Sequence, residues 1–172
     1  MAIAETRPRR MGRRQDKECN RRDRVMLVEG VVPTARQWLV TIAESAQLIE
    51  AARLLRDART DILVVCDFHG VLAGVITKTD VVRQVSHCQG SSCTIAASSV
   101  MTRDPVACRP TDWLHDVWLK MKERRLKNVP ITDLESRPMG VLNARDALEA
   151  LLDEVESEES LLRDYVMCVG YH

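Results

Sequence analysis

Gly74-Val75-Ile76-Thr77-Lys78-Thr79-Asp80 returns, altered, 66 residues later as Gly140-Val141-Leu142-Asn143-Ala144-Arg145-Asp146. Each copy opens with a glycine and two aliphatic residues, the composition of a buried strand end. Each then runs into a helical pattern, Val81-Val82-Arg83-Gln84-Val85 after the first and Ala147-Leu148-Glu149-Ala150-Leu151-Leu152 after the second. Thr77 and Asn143 therefore fall where strand becomes helix, and Asp80 and Asp146 fall in the first helical turn. The plainest account of this spacing is capping: a polar N-cap with an acid three residues later suits the positive end of a helix. A second account gives the same groups a ligand. Backbone N–H groups and a hydroxyl at a helix N-terminus face phosphate, while a carboxylate accepts from ribose hydroxyls.

Two copies at one spacing call for a test of the whole chain as a repeat. The first unit reads as strand (39–42), helix from Leu48, strand (62–66), the turn Asp67-Phe68-His69-Gly70, strand (71–76) and a helix opened by Thr77. The second reads as strand (106–108), a helix starting at Pro110-Thr111-Asp112, strand (129–132), turn, strand (139–142) and a helix opened by Asn143. In the second unit's first helix Leu114, Val117, Trp118 and Met121 turn inward. The units align without a gap from Leu39/Pro105 to Val82/Leu148. Leu48/Leu114, Arg59/Arg125, Asp67/Asp133, Gly74/Gly140 and Asp80/Asp146 are identical pairs. The chain is a duplicated β-α-β-β-α unit, of α/β (α+β) class.

Composition narrows the function. The chain has 172 residues, 45% of them apolar and 3% aromatic, with zero formal net charge. So few aromatics build no base-stacking platform for nucleic acid, and zero net charge gives no general pull toward an anionic surface. No apolar run reaches the length of a membrane span, and the arginine-rich start lacks the apolar core of a secretory signal. Cys19, Cys66, Cys88, Cys93, Cys108 and Cys168 form no CxxC pair, which fits free thiols in a reducing cytoplasm. No Ser-His-Asp order, P-loop or His-Glu-x-x-His motif is present, and no metal or catalytic site is assigned. The expected organisation is a basic tail (1–24), a first unit (25–87), a polar linker (88–99), a second unit (100–152), and an acidic helix end with a short apolar tail (153–172).

The arrangement resembles the paired cystathionine-β-synthase (CBS) domain, or Bateman module. The resemblance rests on Val100-Met101-Thr102-Arg103-Asp104-Pro105-Val106, on Val129-Pro130-Ile131-Thr132-Asp133, and on the two closing motifs. It covers residues 32–152. The first unit departs from it with Leu63-Val64 in place of Val129-Pro130, and the second has Asn143 in place of Ser or Thr. The resemblance implies sheets packed about a pseudo-twofold axis and two clefts, each able to hold an adenine nucleotide. It implies a first cleft of Thr77, Thr79 and Asp80 with Met101, Val106, Lys127 and Asn128. The second would use Asn143 and Asp146 with Ala35, Val40, Asp61 and Ile62.

Charge ranks the clefts. Lys127 in the first would face phosphate, whereas Asp61 in the second would repel it by roughly 1 kcal/mol. The expectation is a non-enzymatic regulatory module in the cytoplasm that senses AMP, ADP or ATP at one competent site built on Asp80. It requires no cofactor, forms a homodimer, acts on a protein partner the sequence does not name, and leaves nucleic acid and membrane aside. The alternative is a dimerisation or interaction module that works without nucleotide.

Overall fold

β2 (Ile62–Cys66) and β3 (Leu72–Thr77) form an antiparallel hairpin because Asp67 closes the turn between them. Its Oδ1 accepts from the backbone N–H of His69 at 2.8 Å and of Val71 at 2.9 Å, and Gly70 takes the left-handed conformation the turn needs (φ 79°). The same construction recurs in β5 (Asn128–Thr132) and β6 (Pro138–Asn143), where Asp133 accepts from Arg137 N at 2.7 Å. The computed structural model describes residues 26–57, 60–86 and 94–169. The readings for the tail (1–24) and for Cys88 and Cys93 of the linker lie outside the described residues.

β1 (Thr41–Ala43) lies parallel to β2, and α2 (Leu48–Asp57) covers them with Leu48, Ala51 and Leu55 buried. α3 (Lys78–Ser86) follows β3. In the second unit α4 (Leu114–Glu123) buries Leu114, Val117 and Met121, as its apolar spacing predicts. Trp118 is half-buried on the same helix with Lys122 Nζ 5.3 Å from the centre of its ring. α5 (Ala144–Val169) is one helix of 26 residues, about 39 Å long. The segment read as an apolar tail is therefore helical as far as Val169.

One expected strand is almost absent. Residues 106–108 contribute a single parallel bridge, Cys108 to Ile131, the counterpart of Ile42 to Val65 in β1 and β2. In the first unit that ladder is held at its two ends by Val64 N to Val40 O and Glu44 N to Cys66 O, both 2.9 Å. The corresponding donors in the second unit would be Pro130 and Pro110, which have no N–H. Two prolines reduce the strand to one residue.

The lead-in segments cross over. Residues 26–38 include the short helix α1 (Val32–Ala35) between 3-10 turns and pack on the second unit. Val28, Val31, Val32 and Ala35 share a core with Leu114, Met121, Val129 and Leu142. Residues 94–103 pack on the first unit, with Ala97 and Met101 in a core with Leu48, Leu63 and Ile76. β4 (Thr102–Arg103) adds antiparallel to β3, so the larger sheet runs β1-β2-β3-β4 and the smaller is β5-β6. A third apolar cluster, Ile62, Val64, Val75 and Val141, joins the two sheets.

Candidate ligand clefts

The crossing explains why both motifs begin with glycine. A Cβ on Gly74 would lie 2.7 Å from Thr102 O and 2.8 Å from Met101 Sδ, and one on Gly140 would lie 3.0 Å from the backbone of Ala35. Ala35 and Met101 therefore occupy equivalent places. Each closes over the strand of the opposite unit, just before that strand delivers its polar motif.

At the end of β3, Asp80 realises the capping account in full. Its Oδ2 accepts from Thr77 N at 2.9 Å and from Thr77 Oγ1 at 2.6 Å, and Thr77 Oγ1 also lies 3.3 Å from Asp80 N. Arg83 Nη1 stands 3.5 Å from the other carboxylate oxygen, and the Asp80 side chain is 14% exposed. Thr79 is exposed on the same turn and Val106 is half-buried. Lys127 is exposed beside Asp61, close enough for its charge to help hold the Asp61 carboxyl below its usual range. The main cause of that lowering is the 2.7 Å hydrogen bond from Lys78 Nζ. The acid expected to repel phosphate is thus paired with a cation of the first motif.

At the end of β6 the arrangement differs. Asn143 Oδ1 accepts from Arg145 N at 2.8 Å, and Asn143 Nδ2 donates to Asn128 Oδ1 at 3.0 Å. Asp146 does not turn back to Asn143 as Asp80 turns to Thr77. Its Oδ2 accepts at 2.8 Å from the indole N–H of Trp38, 108 residues earlier in the chain. Trp38 comes from the 3-10 turn Arg36–Trp38, which lies along β6 as β4 lies along β3. The equivalent position in the other lead-in is Asp104, in the left-handed region at φ 49°.

The two expected groupings are not kept apart. Asn128, expected in the first cleft, bonds Asn143 of the second motif, and Ile62, expected in the second, is in register with Thr77 of the first. Contacts between units run from Ala35 to Gly140, Met101 to Gly74, Trp38 to Asp146 and, through charge, Lys127 to Asp61. Val40 gives its carbonyl to Val64 N and stays within the first unit's sheet. A cavity of about 250 Å³ opens between Leu72 and Ala73 of β3, Asp104, Pro105, Thr132 and Ser136. It lies about 13 Å along β3 from Thr77 at ordinary strand rise. The equivalent of Asp104 across the pseudo-twofold is Trp38; Asp104 lines this cavity, whereas Trp38 reaches Asp146.

Trp38, Arg83 and Asp104 are the residues that sequence reasoning passed over. The signal for Trp38 was a large aromatic two residues before Val40, in a chain with 3% aromatics, at the place where the other copy has Asp.

Comparison with known proteins bears directly on this architecture. The family model of the CBS domain matches residues 39–87 and 97–153, and the chain belongs to that family with two tandem copies. Among solved structures, CBSX2 of Arabidopsis thaliana in complex with AMP superposes with TM-score 0.65 at 23% identity, over 74% of this chain and 96% of that one. The CBS domain pair of protein MJ0100, in complex with 5′-methylthioadenosine and S-adenosyl-L-methionine, gives TM-score 0.63 at 23% identity over 76% and 99%. At these identities the likeness shows the fold. The L-aspartate semialdehyde sulfurtransferase of Methanocaldococcus jannaschii is 26% identical over 107 residues, 62% of this chain and 20% of that protein. The chain thus spans about a fifth of that curated relative. Among the described residues no helix is long and apolar enough to cross a membrane.

Proposed function

We propose that the protein is a non-enzymatic, cytoplasmic regulatory module that binds one adenine nucleotide (AMP, ADP or ATP) per chain in the cleft beside Asp80. The supporting observation is the asymmetry of the two acids: Asp146 is engaged by the Trp38 indole of the opposite lead-in, whereas among the described residues Asp80 is partnered by Thr77 and Arg83 of its own helix end. Thr77, Thr79 and Asp80 would meet ribose and phosphate, with Lys127 adding positive charge and Met101 and Val106 closing the other side, while Asn128 stays with Asn143 of the second motif. The AMP-bound and S-adenosylmethionine-bound neighbours support an adenosine-containing ligand. Binding would regulate a partner only through differential affinity for two conformations.

Calorimetry with AMP, ADP and ATP on the wild type, Asp80→Ala and Asp146→Ala tests this reading. Binding lost in Asp80→Ala and kept in Asp146→Ala is the expected result. Absence of binding for all three nucleotides would defeat it.

A second reading, a dimerisation and interaction module, is favoured by one observation. Val82 and Val85 on α3, at 67% and 56% exposure, and Leu148, Leu152 and Val155 on α5, at 40%, 54% and 54%, leave apolar groups exposed on the closing helix of each unit, Val82 and Leu148 at matching positions. A homodimer through these helices is part of both readings. Light scattering of Val82→Glu/Leu152→Glu should return a monomer from a wild-type dimer.

A further inference from the structure

The two lead-ins differ at one equivalent position: Trp38 reaches the acid of the opposite motif, Asp146, whereas Asp104 lies beside Leu72 and Ala73 at the start of β3. The indole N–H is a donor, as a ribose hydroxyl is, and at 2.8 Å it takes Asp146 Oδ2. Its ring lies against the cluster of Ile62, Val64, Val75 and Val141 that joins the sheets, flat apolar surface of the kind a purine would need. We infer that Trp38 is the residue that sets ligand stoichiometry: its indole occupies the second cleft in place of a nucleoside, so that the chain takes one ligand, and its removal uncovers a second site. This rests on the reading of the clefts as nucleoside-binding.

The test is calorimetry of wild type and Trp38→Ala with adenosine and with AMP, repeated with Asp80→Ala and Asp146→Ala added to the Trp38→Ala protein. The expected result is one additional site in Trp38→Ala, lost on adding Asp146→Ala and retained on adding Asp80→Ala. Equal site numbers in wild type and Trp38→Ala overturn the inference. If the wild type binds nothing and Trp38→Ala binds one adenosine, the inference holds and the reading of the first cleft falls.

A measurement on the unaltered cleft guards against misfolding of the variant. The indole N–H resonance of Trp38, assigned by its loss in Trp38→Phe, should stay in place as adenosine or AMP is added to Asp80→Ala. A ligand-dependent shift of that resonance means that nucleoside enters past the indole, and the inference fails.

Discussion

The two halves of the molecule carry the same motif and put it to different use. Asp80 folds back on Thr77 and, among the described residues, takes Arg83 of its own helix as its ion-pair partner. Asp146 reaches outward and is met by Trp38. Part of the difference lies in the motif, where Thr77 holds Asp80 and Asn143 is taken by Asn128 and Arg145 instead. The rest lies in the crossing segment, where one copy carries an indole and the other a carboxylate held in the left-handed region. A duplicated site is diversified here by what its neighbour inserts into it.

The sharpest way to break the comparison is at the motif glycines. Gly74→Ala places its Cβ 2.7 Å from a backbone carbonyl oxygen, which cannot rotate away, whereas Gly140→Ala meets Ala35 at 3.0 Å. Gly74→Ala should lose about 2–3 kcal/mol of stability and Gly140→Ala about 1 kcal/mol, within the ordinary range of overpacking, as read by urea unfolding. Equal losses would mean that the two lead-ins press on their strands alike.

Next in size is a pH effect at a position where the two units differ. Burial pushes the Cys108 thiol up to about 12, while the equivalent residue of the first unit, Ile42, does not titrate. Below about pH 9 the thiol is protonated in both native and unfolded chains. Above that, the unfolded chain releases the proton and the native one keeps it, so stability falls as pH rises. The slope from this one group is at most about 1.4 kcal/mol per pH unit, ending near the native pKa. Cys108→Val should flatten that alkaline limb in chemical denaturation from pH 9 to 11; an unchanged slope would mean the thiol ionises in the native state.

The smallest effect is at Asp104. Glycine adopts its φ of 49° without steric cost, and Asp104→Gly should raise stability by about 0.5 kcal/mol. A loss instead would show that the carboxylate itself holds the lead-in in place.

Much of this was legible before the fold was in hand. The gap-free run from Leu39/Pro105 to Val82/Leu148 carried the duplication, because turns, glycines and apolar faces recur at one spacing and each follows from local chemistry. What escaped were effects with no local signature. Pro110 and Pro130 remove two ladder bonds from residues 106–108, which cannot be seen until the strand they flank has a partner. The first lead-in is three residues longer between Met26 and Ala35 than the second between Ile95 and Met101, so its likeness to the second was hidden. The Trp38–Asp146 bond joins residues 108 apart and depends on that crossing.

The crossed lead-ins also govern the order in which a nascent chain becomes a finished one. When the ribosome has released residues 26–86, the first unit still lacks Ala97 and Met101, which complete its core. Residues 26–35 meanwhile lack the second-unit core they pack into until α4, β5 and β6 arrive. Neither half is a self-sufficient folding unit, and the interlock closes only late in synthesis. A chain severed between the halves yields two incomplete pieces, each holding the part the other needs, so that mixing them should restore the whole where either alone stays open.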